Sequence, residues 1–223
     1  MGKTVVWNGE RNNTNKPENN IVRHTAILGT NEQRSTANTA NIVVLDKSSS
    51  MLDMSGNTNQ MKIDAVKEGV STLIANLPET AHLSIISFGS SAKLLRPMAP
   101  IGQDKLKIIQ LVQNCSASGT TAMKQGLALA DKEFRKVPPG FTKRGYLQTD
   151  GMPDSDPTSS AETLKRQNVQ LHTIGFGAKD QLDENLLKRM ASVSESGSPF
   201  YYHFMDASKL TLFLKRQTTT ISQ

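Results

Sequence analysis

A single cysteine, Cys115, in 223 residues excludes a disulfide framework and any metal site built on several thiolates. Aromatic residues make up only 5% of the chain, and no run of basic residues is interleaved with them. The stacking platform wanted by a single-stranded nucleic-acid binder is therefore missing. No apolar stretch approaches the ~20 residues of a membrane-spanning helix. The start, Met1-Gly-Lys-Thr-Val-Val-Trp7, has no apolar signal-peptide core, and Val6 stands where a myristoylation signal wants Ser or Thr. These absences predict an intracellular, cytoplasmic protein that uses no membrane.

What is present is a length suited to one large α/β domain, able to bury roughly 70% of its unfolded surface. The net charge is +6, carried partly by the pairs Arg135-Lys136, Lys143-Arg144, Lys165-Arg166, Lys188-Arg189 and Lys215-Arg216. Most fall near expected helix C-termini or in loops, where cations complement the helix dipole, so they read as solvated helix ends before they read as a nucleic-acid patch.

Residues 1–39 stand apart. Residues 8–20 are polar and Asn-rich, between two short strand-like runs at 4–7 and 21–28, which predicts an N-terminal arm or hairpin with a loose loop. From residue 40 strands and helices alternate: strands at 42–45, 82–88, 145–149, 169–174 and 200–204, and helices at 61–77, 103–113, 122–137, 158–167, 182–193 and from Asp206 to about 217. A strand at 93–98, next to prolines, belongs at a sheet edge. In the helix at 103–113 the expected inward residues are Leu106, Ile109 and Val112 or Leu111. The fold class is α/β, a doubly wound, mostly parallel sheet flanked by helices with one antiparallel edge strand. Residues 218–223 form a tail.

Three loops at expected strand ends carry oxygen donors: Asp46-Lys-Ser48-Ser-Ser50, Ser118-Gly-Thr120-Thr121, and Thr149-Asp150-Gly151. Open α/β sheets bind ligands at the carboxyl ends of their strands, and hard divalent cations take oxygen ligands. Each loop alone has a structural explanation as a turn or helix cap. Their recurrence in one α/β pattern points to a metal site.

These landmarks, with Ser84-Ile-Ile-Ser-Phe88, Ala122-Met-Lys-Gln-Gly126-Leu127 and His172-Thr-Ile-Gly-Phe-Gly177, resemble the von Willebrand factor type A (vWA) domain and its metal-ion-dependent adhesion site over about residues 40–217. The resemblance implies metal coordination through Asp46, Ser48, Ser50, Thr121 and Asp150. Counting back from Gly126 and Leu127 selects Thr121, with Thr120 as the alternative. The implied ion is Mg²⁺, with Mn²⁺ or Ca²⁺ able to replace it. The implied function is a non-enzymatic protein-interaction module whose metal accepts a partner's Glu or Asp. The layout is closest to bacterial intracellular members of stress-response and tellurium-resistance systems.

Three positions depart from the family pattern: Lys47 beside the site, Gln148 in place of an apolar residue before Asp150, and Asp154 with Asp156 at the rim. An aspartyl-nucleophile phosphohydrolase is excluded because Ser48 stands where the second carboxylate is needed. His82 and His172 fall at the starts of expected strands, away from the ligand-binding edge, and Cys115 has no base beside it. The competing reading is a nucleic-acid or ribonucleoprotein component that uses the basic surface, with the metal structural.

Overall fold

A computed structural model describes residues 38–55 and 59–218. The expected N-terminal arm lies outside the described residues apart from its last two positions, as does the tail beyond Thr218. Six strands form one sheet: β1 (Thr39–Asp46), β2 (His82–Phe88), β3 (Ala92–Pro100), β4 (Thr142–Thr149), β5 (Val169–Phe176) and β6 (Tyr201–Phe204). Their order is β3-β2-β1-β4-β5-β6; β3 runs antiparallel at one edge and every other pairing is parallel. Right-handed crossovers through helices dictate this arrangement once strands and helices alternate. The proline-containing β3 sits at the edge, where a missing N–H costs nothing.

Helices α1 (Lys62–Asn76), α2 (Lys105–Gln113) and α6 (Ala207–Arg216) cover one face; α3 (Met123–Phe134), α4 (Thr158–Arg166) and α5 (Glu184–Met190) cover the other. All eight residues of β1 are buried. Val43 and Leu45 join the core beneath α1, α2 and α6, while Ile42 and Val44 join the core beneath α3, α4 and α5. Burial on both faces explains why this strand is a continuous apolar run rather than an alternating one. The order in which strands are added reverses at the central pair: β1 leads through α1 to β2 on one side, and β4 leads through α4 to β5 on the other. Leu45 pairs with Gln148, which sets Asp46 beside Thr149 at the carboxyl ends of β1 and β4. That junction is the crevice where doubly wound sheets bind ligands.

Three expectations are corrected. In α2 Val112 is inward as expected and Ile109 packs half-buried against the core, but the other fully inward residue is Ile108, and Leu106 is 76% exposed. A nine-residue helix has too few turns for periodicity to choose its row, and buried Ile101 before it and Cys115 after it select the row of Ile108 and Val112. The helix expected from residue 182 starts later, because the Asp183 carboxylate accepts from the Leu186 N–H at 2.8 Å and caps α5 there. His172 lies in the middle of β5, not at its start, and stacks with Tyr146 at a centroid distance of 5.1 Å. At the last helix, Asp206 caps α6 through Ser208 and Lys209 as its sequence position predicts.

Candidate metal centre

The first loop leaves β1 at Asp46, a carboxylate with no exposure. Its Oδ1 accepts from the Ser48 N–H at 2.8 Å and its Oδ2 from the Thr149 hydroxyl at 2.6 Å. Burial pushes the Asp46 carboxyl up to about 6, with the Thr149 and Ser48 hydrogen bonds pulling the other way. The Ser48 and Ser50 hydroxyls stand 3.1 Å apart, and Ser50 Oγ donates to Asp150 Oδ1 at 2.8 Å. An unbroken line of oxygens therefore links the first loop to the third, across 100 residues of chain.

The second loop is pinned from both sides. Ser118 N–H donates to the Lys47 carbonyl at 2.6 Å, Ser49 N–H to the Gly119 carbonyl at 2.9 Å, and Gly119 N–H to Ser49 Oγ at 3.0 Å. Gly119 has φ +87°, and a Cβ there would stand 2.3 Å from Ser90 Oγ, so only glycine fits. Asp154 then clamps the two threonines. Its Oδ1 accepts from Thr121 N–H at 2.9 Å, its Oδ2 from the Thr120 hydroxyl at 2.6 Å, and its own N–H donates to the Thr121 carbonyl at 3.1 Å. The Thr120 hydroxyl is thus committed to Asp154. The Thr121 hydroxyl instead faces Gly151: a Cβ placed on Gly151 would lie 3.8 Å from Thr121 Oγ1 and 3.7 Å from Ser50 Oγ. A glycine after Asp150 keeps this cradle between the hydroxyls free of side chain.

All five residues singled out in the sequence therefore converge at the β1–β4 crevice. The donor set is two carboxylates and three hydroxyls. Among the described residues no three His, Cys, Asp or Glu side chains come together, so an ion held here relies on the hydroxyls. Such a set fits a hard divalent cation such as Mg²⁺. The buried Asp46 charge, which the surrounding hydrogen bonds leave undercompensated, fits a cation in the crevice on the same grounds.

Sequence reasoning missed the crevice's own cation. Lys62, at the first turn of α1, donates to Asp150 Oδ2 at 2.8 Å and to Gln181 Oε1 at 2.9 Å, and lies 3.6 Å from Asp53 Oδ2. A signal was available: Lys62 stands four residues before Val66, on the same row as Val66 and Val70, and so belongs to the buried stripe of α1. Lys47 is half-buried and folds back over the β2–β3 turn, with its Nζ 3.3 Å from where a Gly89 Cβ would be. Cys115 is packed, its Sγ 3.6 Å from the Leu111 carbonyl, and burial pushes its thiol up. His203 places a ring nitrogen 2.7 Å from the Gly177 carbonyl. No described helix is long and apolar enough to cross a membrane.

Comparison with known proteins agrees with this fold. Residues 41–216 match the model of the von Willebrand factor type A domain. An uncharacterized protein of Synechocystis sp. is 29% identical over 155 residues, covering 68% of this chain and 36% of that protein. Human von Willebrand factor A domain-containing protein 3B is 27% identical over 168 residues, covering 73% of this chain and 12% of that protein. The chain thus spans well under half of the length of either relative. Among solved structures, the conserved hypothetical protein BatB from Bacteroides thetaiotaomicron superposes with a TM-score of 0.66 at 17% identity, covering 81% of this chain and 97% of that one. With the strand order, the β1–β4 crevice and a family match from Asn41 to Arg216, the chain belongs to the von Willebrand factor type A domain family.

Proposed function

We propose that this vWA domain is a metal-dependent protein-interaction module, in which Asp46, Ser48, Ser50, Thr121 and Asp150 hold one divalent cation and a partner protein supplies the Glu or Asp that completes its coordination. The observation that carries this reading is the convergence of the three loops beside Gly151, where a Cβ would lie within 4 Å of both the Ser50 and Thr121 hydroxyls. When bound, the ion supplies an electrophilic oxygen-binding position, because neutral hydroxyls donate less charge to it than carboxylates would. The chain's own residues orient the site. Thr149 and the Ser48 N–H fix the Asp46 carboxylate, Ser50 and Lys62 fix Asp150, and Asp154 holds the threonine loop.

Mg²⁺ is the default ion, with Mn²⁺ or Ca²⁺ as substitutes. The module is non-enzymatic on its own: His82, His172 and Cys115 lie off the crevice, and the His203 ring is taken by the Gly177 carbonyl. The narrower assignment is to a cytoplasmic bacterial regulatory complex of the stress-response or tellurium-resistance kind; its support is the cysteine-poor composition. The nucleic-acid alternative is disfavoured because Lys165-Arg166, Lys188-Arg189 and Lys215-Arg216 occupy the last turns of α4, α5 and α6, where they complement the helix ends.

The test is capture of partners from a cell lysate in Mg²⁺ and again in chelator, read by mass spectrometry. Wild type is compared with Asp150→Ala and with Ser48→Ala combined with Ser50→Ala. The expected result is a set of partners that appears only with wild type and only with metal. Partners that survive chelator and both variants at full yield overturn the metal bridge. Binding that instead falls steeply with salt, and not with chelator, moves the reading to nucleic acid.

A further inference from the structure

Lys62 is built into the crevice rather than resting at its rim. Its side chain is 3% exposed. Its stem runs across Gly177, which has φ +120° and whose Cβ, if present, would stand 3.0 Å from Lys62 Cε and 3.3 Å from Nζ. The missing side chain at Gly177 therefore leaves the path that the lysine takes. At its end the ammonium meets three oxygens from three separate segments: Asp150 after β4, Gln181 after β5, and Asp53 after the first loop. A lysine at the first turn of α1 sits at the positive end of the helix dipole, where a cation is disfavoured. A buried charge held in so unfavourable a place, and this well partnered, is not a solvated helix residue.

We infer that Lys62 is the built-in counter-charge of the metal centre: it weakens the hold on the divalent cation and makes ion binding and carboxylate binding depend on each other. This inference rests on the metal-bridge reading above. Asp46, Asp150 and Lys62 together carry one negative charge, so a divalent ion leaves the crevice with one positive charge, and one incoming carboxylate brings it to zero. Without Lys62 the two aspartates alone would balance the ion and leave no net attraction for an acidic partner. Asp53, 3.6 Å from the ammonium and with its side chain 58% exposed, partly offsets this charge from the outside.

The experiment follows the free Mn²⁺ signal by electron paramagnetic resonance as Mn²⁺ is added to the full chain, in sodium chloride and in sodium acetate of equal ionic strength. Acetate is the carboxylate probe. Wild type is expected to bind Mn²⁺ more tightly in acetate than in chloride. Lys62→Met keeps the stem and removes the charge. It is expected to bind Mn²⁺ about tenfold or more tighter in chloride, the order that one neighbouring unit charge gives at an effective dielectric of about 20, and to lose the acetate enhancement. Asp53→Asn, at an exposed position that does not threaten folding, is expected to shift the other way, with weaker Mn²⁺ binding in chloride and a larger acetate enhancement.

A purely structural role for Lys62 would weaken binding in Lys62→Met without altering the acetate ratio. That result, or unchanged affinity in both variants, overturns the inference while leaving the metal centre intact. If Lys62→Met does not fold, Lys62→Gln, which keeps a polar contact to Asp150 and removes the charge, decides in its place. If wild type and variants all fail to bind Mn²⁺, the metal reading itself falls, and the inference with it.

Discussion

Asp154 holds both threonines of the second loop with one carboxylate, taking the Thr121 N–H at 2.9 Å and the Thr120 hydroxyl at 2.6 Å. Because Asp154 is exposed and its carboxylate bonds to the threonine loop, its task is local: it decides which threonine hydroxyl is left for the crevice. Asp154→Ala is expected to weaken Mg²⁺ affinity about 10–100-fold, the usual cost of losing a group that orients a metal ligand. Thermal stability in chelator should change by less than about 1 kcal/mol, as for an ordinary surface substitution. Isothermal titration with Mg²⁺ beside a thermal melt checks both halves, and full affinity in the variant would show that the threonine loop holds its shape without the clamp.

Asp46 should be a liability in the metal-free protein. Burial raises its carboxyl from 3.8 to about 6 in the folded state, so its contribution to stability is complete below pH 3.8 and is lost as pH rises through about 6. At pH 7 the folded chain therefore carries a charge that its surroundings disfavour. Asp46→Asn is expected to stabilise the chain in chelator at pH 7 by about 1–3 kcal/mol, and to abolish the rise in Tm expected from Mg²⁺ in wild type. Urea unfolding with and without Mg²⁺ measures both. A less stable Asn variant in chelator would mean that the Thr149 and Ser48 hydrogen bonds outweigh the burial of the charge.

His172 works in the opposite direction over an overlapping range. Its burial, with Arg144 nearby, lowers its pKa from 6.5 to about 4. Its contribution is present above pH 6.5 and is lost as pH falls through about 4, a span worth about 3 kcal/mol. In the metal-free wild type the two effects partly cancel between pH 4 and 6, and the stability profile should be shallow there. In Asp46→Asn the histidine acts alone, and stability should fall as pH drops from 6.5. Adding His172→Phe, which keeps a ring among Tyr146, Phe200 and Tyr202, should flatten the profile again. Chemical unfolding across that pH range is the measurement, and identical profiles with and without His172 would sink the assignment.

Gln148 is fully buried in β4, and neither atom of its amide has a hydrogen-bond partner. A buried amide without partners costs about 1–3 kcal/mol. Gln148→Met, close in shape and apolar, is expected to recover part of that and to raise Tm by several degrees, since 1 kcal/mol is worth about 2–4 °C in a chain of this size. Calorimetry of the two proteins in chelator decides it; a lower Tm would mean that the amide is satisfied in solution.

The parts of this molecule that the sequence made legible are those whose information is local. The runs at β1 and β2 are apolar because both faces are covered, and Asp206 announces α6 because a cap acts within three residues. Asp46, Ser48, Ser50 and Asp150 could be named because each ends a buried strand or follows it directly. Counting back from Gly126 and Leu127 selected Thr121 over Thr120, but the spacing carries no physical reason for that choice, which lies with a carboxylate 33 or 34 residues away. Lys62 was invisible for the same reason on a larger scale: its partner Asp150 is 88 residues distant, and a lysine in an amphipathic helix ordinarily marks the wet side. The inward row of α2 escaped because a nine-residue helix offers two apolar rows, and only the neighbouring elements choose between them.

The pairing of Leu45 with Gln148 carries a consequence for how the protein matures. Successive residues of a strand point to opposite faces, so a slip of one position between β1 and β4 would turn Asp46 towards the wrong helices and part it from Thr149. The first and third loops thus become partners only after the two central strands, about a hundred residues apart in the chain, have locked in phase. With the proposed site in place, response to a divalent ion would therefore act as a proofreading signal. A population that binds it has its innermost strands correctly aligned, and a chain trapped out of phase would be silent to metal while keeping most of its helices and strands.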